Sequence, residues 1–269
     1  MRNPPLYFDH NATTPIAPEV AEALSEALQT VYGNASSIHR RGQIARQQIE
    51  NARRAIAASL NAAPAELVFT SSGTESNNLA IFGLLRALAG GRPRKPMVCP
   101  THLLTSAIEH PSVLECFRQI EREGVEVEVV GIAAIERHLR PETALVSVMH
   151  ANNETGAIQP IEEIAALVQA RRAAGQAIYF HSDGVQAFGK IPADVSRLGV
   201  DLYSISAHKI HGPKGIGALF VRKGTPLDSL LYGGRQERER RAGTENVPAA
   251  MAFARAVELC SDAAAAHCT

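Results

Sequence analysis

The feature that most constrains the fold of this chain is an alternation of short β-branched segments with longer segments of helical apolar spacing. The short segments predict strands, and the longer ones predict the helices between most of them. Strands are expected at residues 66–70, 102–108, 125–130, 144–149, 177–182 and 201–206, and helices at 18–28, 43–60, 76–88, 112–123, 161–174 and 262–267. This order predicts an α/β fold, with a mainly parallel sheet and helices on both faces.

The charge balance argues against several kinds of partner. Lys plus Arg and Asp plus Glu both number 27 in the 269 residues, so no net charge draws the chain to nucleic acid or to an anionic membrane. No signal-peptide-like core begins the sequence, and no apolar run reaches the ~18 residues that span a bilayer. We therefore expect a cytoplasmic protein with a small-molecule partner.

The cysteines give no sign of a disulfide framework or a metal site. Cys99, Cys116, Cys260 and Cys268 are widely spaced and include no C-x-x-C pair. Each is expected to be a buried or incidental thiol, and no metal is expected.

The densest charge run, residues 235–241, alternates in sign and contains no aromatic residue. Taken alone, it predicts a solvated loop and not a nucleic-acid contact.

Polar residues follow nearly every predicted strand, where α/β folds of this kind bind ligands. After the first strand, Gly73 would let the backbone approach a ligand, and Thr74 opens a helix whose N-terminal amides attract phosphate. A capped helix start without a ligand also explains this segment.

The next two strand ends carry an imidazole and a pair of asparagines. His110 could stack on a ring or carry protons at neutral pH, although a lone histidine at a rim is often only solvated. Asn152 and Asn153 precede Gly156, and a turn is the open alternative for them.

The last two strand ends add a carboxylate, an amide and a lysine. Asp183 could hold a protonated pyridine nitrogen, and Gln186 would face the same crevice. Lys209, in the turn after residues 201–206, is a Schiff-base candidate, although a surface lysine is the alternative. Together, these residues are the parts that a pyridoxal phosphate enzyme needs.

Ordered motifs carry a resemblance to a known family, the class V aminotransferases, and within it to cysteine desulfurases of the nitrogen-fixation type. The resemblance runs from Tyr7 to about Pro248. Its motifs lie at residues 9–15, 32–39, 69–76, 109–113, 150–156, 206–209 and 240–246.

The resemblance implies pyridoxal 5'-phosphate as the cofactor, held as a Schiff base on Lys209. Asp183 would pair with the pyridine nitrogen, His110 would stack on the ring and move protons, and Gln186 would bind the phenolic oxygen. Asn153 would lie beside cofactor and substrate. The phosphate would be held by five residues: Gly73, Thr74, Ser206, His208 and, from the partner subunit of a homodimer, Thr244.

The implied reaction converts L-cysteine to L-alanine and passes sulfur to a protein cysteine as a persulfide. An iron-sulfur scaffold or another acceptor protein would then receive the sulfur. In the family, the nucleophilic cysteine loop and the carboxylate-binding arginine lie beyond the position of Thr269, so we expect the small C-terminal domain to be absent here.

Within the chain, residues 1–15 are expected to be an N-terminal arm that belongs to the small domain in the family. Residues 16–269 are expected to be the large cofactor-binding domain. Two alternatives stay open: a non-catalytic cofactor-binding or dimerising remnant, and another class V enzyme such as a selenocysteine lyase or an aminotransferase.

Overall fold

The computed structural model describes residues 6–90 and 102–267. Cys99 and Cys268, and the start of the N-terminal arm, lie outside the described residues.

A single mixed sheet organises the described chain. Its strands are β1 (Leu67–Thr70), β2 (His102–Ser106), β3 (Glu126–Val130), β4 (Thr143–Ser147), β5 (Tyr179–Asp183), β6 (Leu202–Ser206) and β7 (Gly217–Val221). Their order is β1-β7-β6-β5-β4-β2-β3. Among these strands only β7 runs antiparallel to the other six, so the prediction of a mainly parallel sheet is confirmed.

Strand β7 was not predicted from the sequence. Its sequence, Gly-Ala-Leu-Phe-Val, is a short apolar run behind a turn rich in glycine and proline. The strand is buried along its length because it pairs with β6 on one side and β1 on the other. β6 is the preceding strand, but β1 lies far back in the sequence, and a short apolar run does not by itself distinguish a strand from a buried helical segment.

The helices expected between residues 18 and 174 lie close to their predicted positions. The last helix begins at Val247 and not near residue 262, and the short helices at 135–138 and 195–198 were not predicted. The helices are α1 (Pro18–Thr30), α2 (Arg40–Ser59), α3 (Gly73–Asn78), α4 (Leu84–Leu88), α5 (Pro111–Arg122), α6 (Ile135–His138), α7 (Ile161–Ala173), α8 (Val195–Leu198) and α9 (Val247–His267). A π-helical segment, Leu79–Gly83, joins α3 to α4, and these three segments replace the single helix expected at 76–88.

Two apolar layers, one on each face of the sheet, confirm the predicted placement of helices. One layer contains Ile56 of α2 and Phe253 of α9, and the other contains Leu84 of α4 and Phe117 of α5. The strands β4 and β6 are buried along their whole length, and β5 between them is buried except at Tyr179, as strands covered on both faces are. Polar groups reach a ligand only where these strands end.

No helix in residues 6–90 or 102–267 combines the length and the apolar character needed to cross a membrane.

Candidate active site

A cavity of about 600 Å³ opens at the carboxyl ends of the parallel strands. Nine of the ten residues expected at the site line it, and the tenth, Thr244, does not. The sheet brings the nine together because parallel strands direct the loops after them to one edge.

One end of the cavity is suited to phosphate. Ser72 caps α3 by accepting a hydrogen bond from the backbone N–H of Glu75 at 3.1 Å. A Cβ on Gly73 would lie 2.6 Å from Cγ2 of Val185, so the backbone approaches closely here. The hydroxyl of Ser206 is buried and has no partner among the described protein atoms. These groups, with Thr74 and His208 beside them, leave donors free for an anion.

Asp183, the last residue of β5, lines the same cavity and is only 4% exposed. One carboxylate oxygen accepts from the backbone N–H of Val185 at 2.9 Å, and the other accepts from the side-chain amide of Asn77 at 2.8 Å. Burial raises the pKa of Asp183, more than these hydrogen bonds and the charges of His110 and Lys209 lower it. No cation in the described chain hydrogen-bonds this carboxylate, so a cationic ligand would relieve its burial.

Lys209 stands across the cavity in the turn after β6. Its amine donates to the backbone carbonyls of Asn11 and, at 2.9 Å, of Ala12, so the N-terminal arm holds it in place. Burial lowers the pKa of Lys209, and the charges of Asp183 and Asp9 offset this only in part. A lowered pKa makes the neutral, nucleophilic amine more accessible near neutral pH.

The arm is fastened to this turn by further hydrogen bonds. The hydroxyl and the backbone N–H of Thr14 both donate to the carbonyl of His208 at 3.0 Å. The imidazole of His208 lies 3.1 Å from the hydroxyl of Thr13. The lysine therefore depends on a segment almost two hundred residues away for its position.

Gln186 spans the floor between the arm and a second lysine. Its amide nitrogen donates to the carbonyl of Asn11, and its amide oxygen accepts from the amine of Lys190, both at 2.8 Å. Because a lysine can only donate, this contact directs the amide nitrogen of Gln186 away from Lys190 and toward the arm.

His110 is the N-cap of α5, directly before Pro111. Its Nδ1 accepts from the backbone N–H of Ser112 at 3.1 Å and lies 2.7 Å from the serine hydroxyl. The imidazole is therefore held by one ring nitrogen while the ring lines the cavity.

Glu109, next to His110, is buried behind the cavity wall. One oxygen accepts from the hydroxyl of Ser106 and from the backbone N–H of Met149 at 2.7 Å, which ties the end of β2 to the end of β4. Its other oxygen is buried without a partner among the described atoms. Burial raises the pKa of Glu109 to about 8 despite the two donors, so the neutral acid is favoured below that pH.

The sequence left two roles open for the paired asparagines after β4, a turn and a ligand site, and the structure gives one role to each residue. Asn152 forms the turn, because its side-chain oxygen accepts from the backbone N–H groups of Glu154 and Thr155 at 3.0 and 2.9 Å. Asn153 lines the cavity, and its carbonyl accepts from the side chain of Asn11 at 3.1 Å.

The loop at residues 235–241 is solvated only in part: Arg235, Arg238 and Glu239 are exposed as predicted, but Glu237 is not. The carboxylate of Glu237 is buried and forms a two-point ion pair with Arg53 at 2.6 and 2.7 Å. Arg241 pairs with Glu75 at 2.8 Å. These two ion pairs hold the loop against α2 and α3, and Thr244 beyond it is exposed.

The described cysteines do not line the cavity. Burial raises the pKa of Cys116 to about 12 and also raises that of Cys260. Both therefore favour the unreactive thiol.

Several residues of the site were not found from the sequence. Asn77 stands one helical turn after Thr74, and Ser112 stands two residues after His110; both spacings were readable in the sequence. Asn11 lies in the motif at residues 9–15, and the resemblance implied no role for it. The sequence pattern does not show the long-range contact that makes each of them part of the site.

Comparison with known proteins fits this geometry. The chain belongs to the aminotransferase class-V family, whose model matches residues 6–269. Among curated relatives, the cysteine desulfurase IscS of Dictyoglomus turgidum is 45% identical over 262 residues, which cover 94% of this chain and 63% of that protein. The chain thus spans just under two thirds of that relative's length.

Solved structures agree with the family assignment. A NifS-like protein superposes with a TM-score of 0.87 at 38% identity, covering 96% of this chain and 70% of the other. A structure of SspA in complex with cysteine gives a TM-score of 0.85 at 37% identity, covering 94% and 72%. These likenesses confirm the predicted fold, that of the large domain of pyridoxal phosphate-dependent transferases.

Proposed function

We propose that this chain binds pyridoxal 5'-phosphate through Lys209 and supplies the cofactor-binding part of a cysteine desulfurase. One observation carries the proposal: a lysine of lowered pKa and a buried carboxylate without a cationic partner face the same cavity. The cofactor's aldehyde reacts with the neutral amine of such a lysine, and its protonated pyridine nitrogen pairs with such a carboxylate.

The remaining lining residues fit the rest of the cofactor. The free hydroxyl of Ser206, the backbone at Gly73 and Thr74, and His208 would hold the phosphate. Thr244, exposed and outside the cavity of its own chain, would complete that site in the partner subunit of a homodimer.

When bound, the cofactor would supply an electron sink for the bonds broken at the substrate's Cα. Asp183 would keep the proton on the pyridine nitrogen, and Gln186 would donate its amide N–H to the phenolic oxygen. Lys209 would exchange protons at its amine, His110 would exchange them at Nε2, and Asn153 would contact the substrate.

The sulfur-transfer step belongs to the whole protein. L-cysteine is the substrate we propose, because cysteine desulfurase and "in complex with cysteine" are the names that similar proteins carry. A protein thiol would take the sulfur as a persulfide for an iron-sulfur scaffold or another acceptor. Neither described cysteine suits that role, since both thiols have raised pKa values and lie outside the cavity.

We propose the domain arrangement and location on the same basis. Residues 16–269 would form the large domain and residues 1–15 the arm, with the whole in the cytoplasm. Another class V activity, such as that of a selenocysteine lyase, is the alternative.

The absorption spectrum of the protein with added pyridoxal phosphate tests the proposal. We expect a visible band from the lysine-bound cofactor in the wild type, complete loss of that band in Lys209→Ala, and retention in Lys214→Ala. Lys214 is an exposed lysine of the same turn and serves as the matched control. A folded wild type without the band would refute cofactor binding.

The same sample tests the sulfur step. Addition of L-cysteine should change the band without release of alanine, because the described chain offers no reactive thiol at the cavity. Persulfide and alanine in stoichiometric amounts would show that this part of the proposal is wrong.

A further inference from the structure

Four polar side chains form a hydrogen-bonded path along one wall of the cavity. Asn77 donates to Asp183 at 2.8 Å and to the hydroxyl of Ser112 at 2.9 Å. That hydroxyl lies 2.7 Å from Nδ1 of His110. The path therefore connects the carboxylate of Asp183 to the imidazole of His110, and both line the cavity.

The direction of each hydrogen bond follows from what the groups can donate. An ionised carboxylate only accepts, so the nitrogen of the Asn77 amide must face Asp183. The amide oxygen of Asn77 is buried without a partner among the described atoms, which is the consequence of this orientation. Both amide hydrogens are then used, one on Asp183 and one on Ser112.

The path ends at Nδ1 of His110. Ser112 has one hydroxyl hydrogen, and because its oxygen already accepts from Asn77, that hydrogen is free to point at Nδ1. The backbone N–H of Ser112 donates to the same nitrogen at 3.1 Å. With two donors directed at it, Nδ1 is an acceptor and the proton of the neutral ring resides on Nε2.

We infer that Asn77 and Ser112 are positioning residues that hold His110 in the tautomer with the proton on Nε2. No described residue hydrogen-bonds Nε2, so this N–H is left for a ligand in the cavity. The chemical consequence rests on the proposed function: neutral His110 offers a ligand an N–H hydrogen bond at Nε2 and no basic nitrogen, so Lys209 is the group left to accept a proton.

A second capping histidine provides a control within the same molecule. His39 caps α2, and its Nδ1 accepts from the backbone N–H of Gly42 at 3.3 Å. The described structure gives His39 no serine hydroxyl and no asparagine behind it. Changes to the path should therefore move the tautomer of His110 and leave that of His39 alone.

The test uses cofactor-free protein labelled with ¹⁵N at histidine, in long-range ¹H–¹⁵N spectra at alkaline pH. His110→Gln assigns the His110 signals, and the nitrogen shifts report which atom carries the proton. We expect the Nε2–H form in the wild type. Asn77→Ala and Ser112→Ala should each lower the ratio of the two tautomers about fivefold, the effect of one net hydrogen bond.

Two variants separate the path from general disturbance of the fold. Ser112→Thr keeps the hydroxyl and should restore the wild-type ratio. Asn78→Ala removes the neighbouring amide, which bonds only to the carbonyl of Thr74, and should leave the ratio unchanged. If Asn77→Ala does not fold, the pair Ser112→Ala and Ser112→Thr decides the question.

Two results would overturn the inference: a wild-type His110 with the proton on Nδ1, or an unchanged ratio in both alanine variants. Because no cofactor is present in the experiment, its outcome is independent of the absorption test at Lys209.

Discussion

Two buried carboxylates in this chain, Glu237 and Asp183, have opposite surroundings. Glu237 accepts two hydrogen bonds from Arg53 and a third from the backbone N–H of Phe69 at 2.8 Å. Asp183 accepts from one amide side chain and one backbone N–H, both neutral. Glu237 therefore has a hydrogen-bonded counter-charge from Arg53, whereas no described cation hydrogen-bonds Asp183.

This is the difference expected between a carboxylate that stabilises the fold and one that binds a cationic ligand. Glu237 begins three successive residues with positive φ, of 46°, 56° and 65°, an uncommon conformation for side chains other than glycine. Its ion pair with Arg53 fixes that loop against α2. Asp183 is instead buried at the cost of a raised pKa, which a cationic ligand would reverse.

Removal of the charge of Glu237 should therefore have the largest effect on stability. We expect Glu237→Gln to lower the free energy of unfolding by about 3–5 kcal/mol, because it leaves Arg53 buried without its full counter-charge. Urea unfolding measures this as a lower midpoint at unchanged slope. Glu115→Gln, at an ion pair with Arg118 whose side chains are both 57% exposed, is the control and should change stability by less than about 0.5 kcal/mol. Equal effects of the two substitutions would mean that burial does not distinguish these pairs.

Glu109 extends the comparison to pH. Because its folded-state pKa of about 8 lies above the ordinary value of 4.5, the neutral acid stabilises the fold fully below the ordinary pKa, and this contribution is lost as pH rises toward 8. The loss is at most about 1.4 kcal/mol per pH unit. Glu109→Gln mimics the neutral acid and should remove this part of the slope when unfolding is measured across that range. An identical pH dependence in variant and wild type would contradict a raised pKa.

The smallest effect is expected at Asp183, and with the opposite sign to Glu237. In cofactor-free protein at neutral pH, Asp183→Asn should raise the free energy of unfolding by about 1 kcal/mol, because a buried charge without a cationic partner is removed. The same variant should bind pyridoxal phosphate more weakly than the wild type in a spectroscopic titration. Destabilisation of the kind expected for Glu237→Gln would show that Asp183 is structural.

Much of the site was predictable because its chemistry follows strand ends. Periodicity located most of the strands, and parallel strands bring the residues after them to one edge, so Asp183, His110 and Lys209 could be expected together. Asn153 could not be separated from Asn152 in this way. Both stand in the same turn, and only the hydrogen bonds of the turn decide which side chain closes it.

The sequence by itself determined the α/β class, most element positions and nine of the residues that now line the cavity. The tertiary structure alone decided that the arm holds Lys209, that Glu237 is buried on Arg53, and that Asn77 links Asp183 to His110 through Ser112. The physical reason is the sequence separation between the residues in contact. Strand and helix periodicity depend on neighbours a few residues apart, whereas Asn11 and Lys209 are 198 residues apart and Arg53 and Glu237 are 184 apart. Contacts of that separation exist only in the folded chain.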